Sequence, residues 1–196
     1  MMKPLSRTAA LLVVDMQRGF DHPGWGIRNN PQMEANVSRL LGAWRAAGAP
    51  VIHVRHDSPH PDGRMRPGTI GNAPKPEAAA QASEWTYRKT VNSAFIGTTL
   101  EPDLRKRGIR TLVIVGLTTN HCISTTARMA GNLGFETYVV SDATATFERR
   151  GIDGVLRGAD EVHAAALSDL QDEFAGIADT ANVLDALSRS EAKGHA

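Results

Sequence analysis

Leu112-Val113-Ile114-Val115-Gly116-Leu117-Thr118-Thr119-Asn120-His121-Cys122-Ile123-Ser124-Thr125-Thr126-Ala127 carries the only cysteine of the 196-residue chain. Its apolar, β-branched first part is the pattern of a buried strand over Arg110 to Gly116. A polar elbow of Thr118, Thr119, Asn120 and His121 follows. Ile123, Ala127, Ala130 and Leu133 then recur at helical spacing up to Gly134. The pattern predicts strand, tight loop and helix, with Cys122 in the first helical turn. Free N–H groups and the positive end of the helix dipole gather there. A thiol so placed ionises more easily, and the thiolate is the nucleophilic form. A lone cysteine is also commonly a small buried hydrophobe, but the polar, small neighbours suit an open elbow better than a packed core.

Outward from this stretch the chain alternates. Ala9 to Val14 is a continuous apolar run that stops at Asp15, as in a strand buried on both faces. Asn30 is expected to cap a helix with Pro31 at its first position. Met33, Val37, Leu40, Leu41 and Trp44 form that helix's apolar face, and Gly48 ends it. Pro50 to Arg55 is the second strand, so the connection is a β-α-β crossover with parallel strands. Glu84 to Lys89 is a short third strand. A helix runs from Leu100 to Arg107, and Thr137 to Asp142 is the fifth strand. Val155, Ala159, Val162, Ala166 and Leu170 are expected to share a helical face. Phe174 to Ile177 is a short edge strand, and Asp179 caps a last helix. The whole implies an α/β fold with about six strands in an open, mostly parallel sheet covered on both faces. It is expected to form a single domain over 1–190, with a flexible tail at 191–196.

Residues 57–82 are rich in Pro and Gly. A loop of that length within one domain is expected to serve as a lid or an interface.

The formal net charge is +1, and no long basic run suggests nucleic acid. No apolar stretch reaches the ~20 residues of a membrane span. The N-terminal residues lack a signal-peptide core, and one cysteine permits no intrachain disulfide. The expected setting is therefore the cytoplasm. No Gly-rich phosphate loop follows the first strand, so no nucleotide is expected.

Ligands of parallel sheets bind beyond the carboxyl ends of the strands. Asp15, Lys89 and Cys122 end, or closely follow, the first, third and fourth strands. Alone, Asp15 is as well explained as a cap and Lys89 as a solvated charge. Together they offer a nucleophile, a carboxylate to take its proton and an ammonium to hold the anions.

In these residues the chain resembles the isochorismatase-like cysteine hydrolases, which include nicotinamidases and N-carbamoylsarcosine amidohydrolase. The matching segments are Leu12-Val13-Val14-Asp15-Met16-Gln17 with Phe20, Arg88-Lys89 with Ser93-Ala94-Phe95, Gly116 to Ile123, and Leu133-Gly134-Phe135 leading to Val140-Ser141-Asp142-Ala143. The likeness covers nearly the whole chain. It implies a three-layer α/β/α sandwich of Rossmann-like topology, an Asp15–Lys89–Cys122 triad and a cis peptide between Leu117 and Thr118. It also implies an oxyanion hole from the N–H groups of Thr118 and Cys122, and a homo-oligomer, dimer or tetramer. The implied activity is cleavage of a C–N bond in a small amide, ureide or carbamoyl compound through a thioester. Gln17, Phe20, Trp85, Phe95 and Leu117 are candidates for contacts with this small-molecule substrate, with core packing an equal alternative.

Nicotinamidases of this superfamily bind a metal through an Asp-x-His segment after the second strand. Here His53, His56, Asp57 and His60 lack that spacing, so no metal or other cofactor is expected, although His56 and His60 remain open as ligands. Two rival functions stand beside the amidase: vinyl-ether hydrolysis, which uses the aspartate but needs no cysteine, and a non-catalytic thiol sensor or binding protein. Lys89 and the helix dipole favour the thiolate of Cys122 and Asp15 opposes it; because a nucleophile must be reachable as thiolate near neutral pH, the thiol is expected to titrate below the ~8.5 of free cysteine.

Overall fold

The computed structural model describes residues 2–192. The apolar runs form β1 (Ala10–Val14), β2 (Val51–His56), β3 (Trp85–Lys89), β4 (Thr111–Leu117) and β5 (Glu136–Ala145). After the two-residue strands β6 (Arg149–Arg150) and β7 (Leu156–Arg157) comes β8 (Gly176–Ala178). Six of these make one sheet in the order β3-β2-β1-β4-β5-β8. Every pairing in it is parallel. β6 and β7 pair antiparallel as a separate hairpin.

Strand alternation divides the core. Leu11, Val13, Val113 and Val115 face α1 (Met33–Ala46) and α5 (Thr180–Ala192). Ala10, Leu12, Val14, Leu112 and Ile114 face α2 (Leu100–Lys106), α3 (Ser124–Asn132) and α4 (Ala159–Ser168). Both faces of the sheet are covered, which is why β1 and β4 read as unbroken apolar runs. The expected face of α1 is buried throughout. No helix among the described residues is long and apolar enough to cross a membrane.

Several boundaries differ from expectation. Asn30 is not the cap of α1, which starts at Met33 after Gln32. With φ of 47°, Asn30 turns its side-chain amide away to donate to the carbonyls of Ser141 and Thr144 at 2.8 and 2.7 Å. It thus ties the β1–α1 connection to the end of β5. Val155 does not belong to the face of α4. It lies in the β6–β7 hairpin segment and is exposed, while Ala159, His163, Ala166 and Leu167 make the buried face. The missing cue is polar: His163 takes the place a fully apolar stripe would leave to Val162. Asp179 does cap α5, accepting from the Asn182 N–H at 2.7 Å. α5 continues to Ala192, so residues 191 and 192, expected in the tail, are helical, and the rest of that expectation, 193–196, lies outside the described residues.

Segment 57–84 is irregular, with single 3₁₀ turns at Ile70–Asn72 and Pro76–Ala78. It packs down through Asn72, whose amide donates to the carbonyls of His56 and Met65 and to Asp57.

At the carboxyl edge one backbone position is special. Gly116 has φ of 118°, and a Cβ there would sit 2.0 Å from the Val14 carbonyl oxygen. Only glycine lets β4 approach β1 this closely at the level of the site. Gly116→Ala should cost about 3 kcal/mol or more in urea unfolding. A loss below ~1 kcal/mol would mean that this approach is not required.

Candidate active site

Asp15 leaves β1 with φ of 52°, a conformation that asparagine and aspartate tolerate better than other side chains. Its N–H donates to the Val54 carbonyl at 2.8 Å, and its own carbonyl accepts from the Gln17 N–H at 2.8 Å. The turn places the carboxylate beside Lys89, the last residue of β3, two strands away in the sheet. Lys89 Nζ donates to Asp15 Oδ2 at 2.7 Å and to the Val91 carbonyl at 3.2 Å. Both charged side chains are completely buried.

Asp15 Oδ1 is buried with no well-formed hydrogen bond. The group facing the pair is the Cys122 thiol. Burial pushes this thiol up to about 12, and the Asp15 charge adds to the rise while Lys89 opposes it. The expectation of a thiol below the free-cysteine value is therefore overturned. The physical reason is desolvation, which outweighs both the ammonium and any helix dipole. At rest Cys122 is a thiol set against the Asp15 carboxylate.

The elbow also differs from a simple helix start. Leu117–Thr118 is a cis peptide, and Thr119–Ile123 form a π-helical turn before α3 begins at Ser124. Cys122 sits within that wide turn, which is common near functional sites. The turn is held by polar neighbours that the sequence did not single out. Thr119 Oγ1 and His163 Nδ1 lie 2.8 Å apart in the interior, and burial favours the neutral imidazole of His163. Asn120 Oδ1 accepts from the Thr146 hydroxyl at 2.5 Å, and the Thr146 N–H donates to Asn29 at 2.8 Å. Such contacts join residues 26 to 117 positions apart and leave no local sequence pattern.

The substrate candidates divide. Gln17 is fully buried and acts as a clamp: its amide donates to the His56 carbonyl at 2.9 Å and accepts from the His56 N–H at 2.8 Å. Leu117 is a core residue of the α1/α5 face. Phe95 is buried in the same cluster that Cys122 packs against and stacks on Phe135 at 5.9 Å between ring centroids. Phe20 lies past the end of β1 in an aromatic group with Trp25 and Phe147, neither of them foreseen. Trp85 does not join the others. It starts β3, at the opposite end of the strand from Lys89, and Arg107 stacks over its ring at 3.5 Å.

The residues considered for a metal do not fit one. Among the described residues no three His, Cys, Asp or Glu side chains converge as ligands. His53 Nε2 meets Glu84 at 2.8 Å. Asp57 is gripped by Arg88 through both oxygens, at 2.6 and 2.5 Å, and His60 is exposed. His56 lies beside Lys89 in register. Burial, then the Lys89 charge, lowers its pKa.

A family model of the isochorismatase domain matches residues 9–182. The chain belongs to the isochorismatase family. It is 46% identical over 176 residues to the uncharacterized isochorismatase family protein YrdC of Bacillus subtilis, covering 90% of this chain and 94% of that one. It is 33% identical over 189 residues to Nicotinamidase 3 of Arabidopsis thaliana, covering 90% and 87%. The crystal structure of an isochorismatase-family protein from Chromobacterium violaceum superposes with a TM-score of 0.93 at 44% identity, covering 96% of this chain and all of that one. The fold is thus the isochorismatase-like α/β fold, and at the level of the family the protein is a hydrolase.

The sign of the thiol shift is testable. Iodoacetamide alkylation of Cys122 in the resting protein should rise only well above the ~8.5 of free cysteine. Asp15→Asn, which removes the neighbouring anion, should lower that midpoint. A wild-type midpoint below ~8.5 would show a preformed thiolate instead.

Proposed function

We propose that this protein is a cysteine hydrolase that cleaves a C–N bond of a small amide, ureide or carbamoyl compound. The observation that carries the proposal is the completely buried Lys89–Asp15 pair with the chain's one thiol set against it. A buried charge pair is costly to build and stabilises little beyond what an apolar pair would. Its position around a lone thiol favours a chemical role.

In the proposed cycle Cys122 Sγ attacks the substrate carbonyl carbon as its proton passes to Asp15. Lys89 stays protonated, so the negative charge it faces moves from carboxylate to sulfur without leaving its field. The N–H groups of Thr118 and Cys122 receive the oxyanion, a contact worth roughly 3 kcal/mol per donor. Asp15 returns the proton to the leaving nitrogen as the C–N bond breaks. Water then attacks the thioester, Asp15 takes one of its protons, and the thiol is re-formed. The aromatic group of Phe20, Trp25 and Phe147 offers a wall for the substrate body.

Nicotinamidase 3, one of the relatives, supports an amide as substrate. The lack of a converging ligand set among the described residues argues against a metal-assisted route. The raised thiol pKa weighs against a redox sensor, which needs an accessible thiolate. Vinyl-ether hydrolysis would leave the thiol without a task. A reducing, cytoplasmic setting would keep that thiol available. We extend the proposal to a homo-oligomer, because Ile27, Ile70, Ile152, Val155 and Leu156 are large apolar side chains left exposed.

A panel of small amides, ureides and carbamoyl compounds, assayed for released ammonia or amine, should contain a substrate. Cys122→Ala and Asp15→Asn should each cut turnover on it by about three orders of magnitude or more. Turnover by Cys122→Ala at near wild-type rate would refute the thioester route. Chelator should leave the activity intact, whereas loss restored by a divalent metal would contradict the metal-free site. Light scattering at micromolar concentration should give a dimer or larger, and a monomer would overturn the oligomer.

A further inference from the structure

Between the sheet and the 74–80 segment lies a cavity of about 230 Å³. Val13, Met16, Pro74 and Ala79 give it an apolar wall, and His53 and Arg55 give it a polar one. It shares no lining residue with the Asp15–Lys89–Cys122 set.

Arg55 is the anomaly. Its Nε is buried and hydrogen-bonds to nothing among the described residues. The carboxylates of Asp57 and Glu84 are engaged elsewhere. Asp57 is held by Arg88 and Asn72. Glu84 is held by Arg45 at 2.7 Å and by His53 at 2.8 Å. Arg88 lies beside Arg55 in register on the neighbouring strand, and Asp57, whose charge acts on both, accepts hydrogen bonds from Arg88 and not from Arg55. Burial, then the Arg88 charge, lowers the Arg55 pKa. A guanidinium stays protonated regardless. A half-buried cation with an orphan donor is a feature that needs a partner.

We infer that this cavity is a second ligand site, which takes a small monocarboxylate with a compact apolar body. At roughly 30 Å³ per water molecule the space suits about eight non-hydrogen atoms. The carboxylate meets the Arg55 guanidinium in a charge-assisted hydrogen bond, and the body lies on Val13, Met16 and Pro74. The site touches the catalytic centre only through the backbone. Met16 follows Asp15, and Arg55 precedes His56, whose backbone the Gln17 amide clamps.

Benzoate is a probe of the right size and charge. Isothermal titration calorimetry on the intact protein should show saturable one-site binding at millimolar concentration. Arg55→Gln should weaken it by about tenfold or more, the loss of one charge-assisted hydrogen bond. Cys122→Ala should bind as wild type does, and benzyl alcohol, which lacks the charge, should bind far more weakly. Because Arg55 has no partner to lose, the Gln variant should keep its melting temperature. Should it fail to fold, a benzoate-soaked crystal of the wild type decides, with the carboxylate expected on Arg55. The inference fails if benzoate does not saturate, if Arg55→Gln or benzyl alcohol leaves affinity unchanged, if Cys122→Ala abolishes binding, or if the soaked carboxylate sits elsewhere.

Discussion

The ion pair between Lys89 and Asp15, sealed from solvent at 2.7 Å, is the constraint on which the rest of the site depends. Removing either partner would strand the other charge in the interior, at a cost of about 3–5 kcal/mol. The strand order β3-β2-β1-β4 brings its two members and the thiol to one edge although they are far apart in sequence. The left-handed turn at Asp15, the Gln17 clamp on His56 and the glycine at 116 all act on the backbone that carries or flanks this pair. Much of the polar bonding at the carboxyl edge is thus spent on holding a few side chains in place.

The electrostatic balance at the thiol follows from burial. A helix dipole and a nearby ammonium favour a thiolate, but each acts against desolvation and against the Asp15 anion. The thiol ends up well above its usual range. A protonated resting cysteine next to an acceptor carboxylate keeps one negative charge in the site rather than two. It also avoids a permanently reactive thiolate in the absence of substrate.

Much of the fold was legible because it rests on periodicity. The unbroken apolar runs of β1 and β4 and the stripe from Met33 to Trp44 carry the layers directly. The positions of Asp15, Lys89 and Cys122 followed from strand ends, since a parallel sheet collects such ends on one edge. What was not legible is three-dimensional. The bond of Asn30 to the end of β5, the Thr119–His163 contact and the Asn29–Thr146–Asn120 chain join distant segments. Val155 has helical spacing relative to Ala159 yet lies in a hairpin, since spacing alone cannot say where a helix begins. Trp85 is close to Lys89 in sequence, but a strand separates its ends in space. The thiol's pKa turned on burial, which a polar elbow concealed.

The central claim is that the proton of Cys122 is still on sulfur in the resting site and lies between sulfur and the Asp15 carboxylate. Cys122 is the only cysteine of the chain, so its S–H stretch can be read without overlap by infrared spectroscopy. The account predicts an S–H band at neutral pH, weakened in frequency by a hydrogen bond and moving toward the free-thiol frequency in Asp15→Asn. Absence of any S–H band in the resting protein at neutral pH would mean that the thiolate is preformed, and would contradict the account.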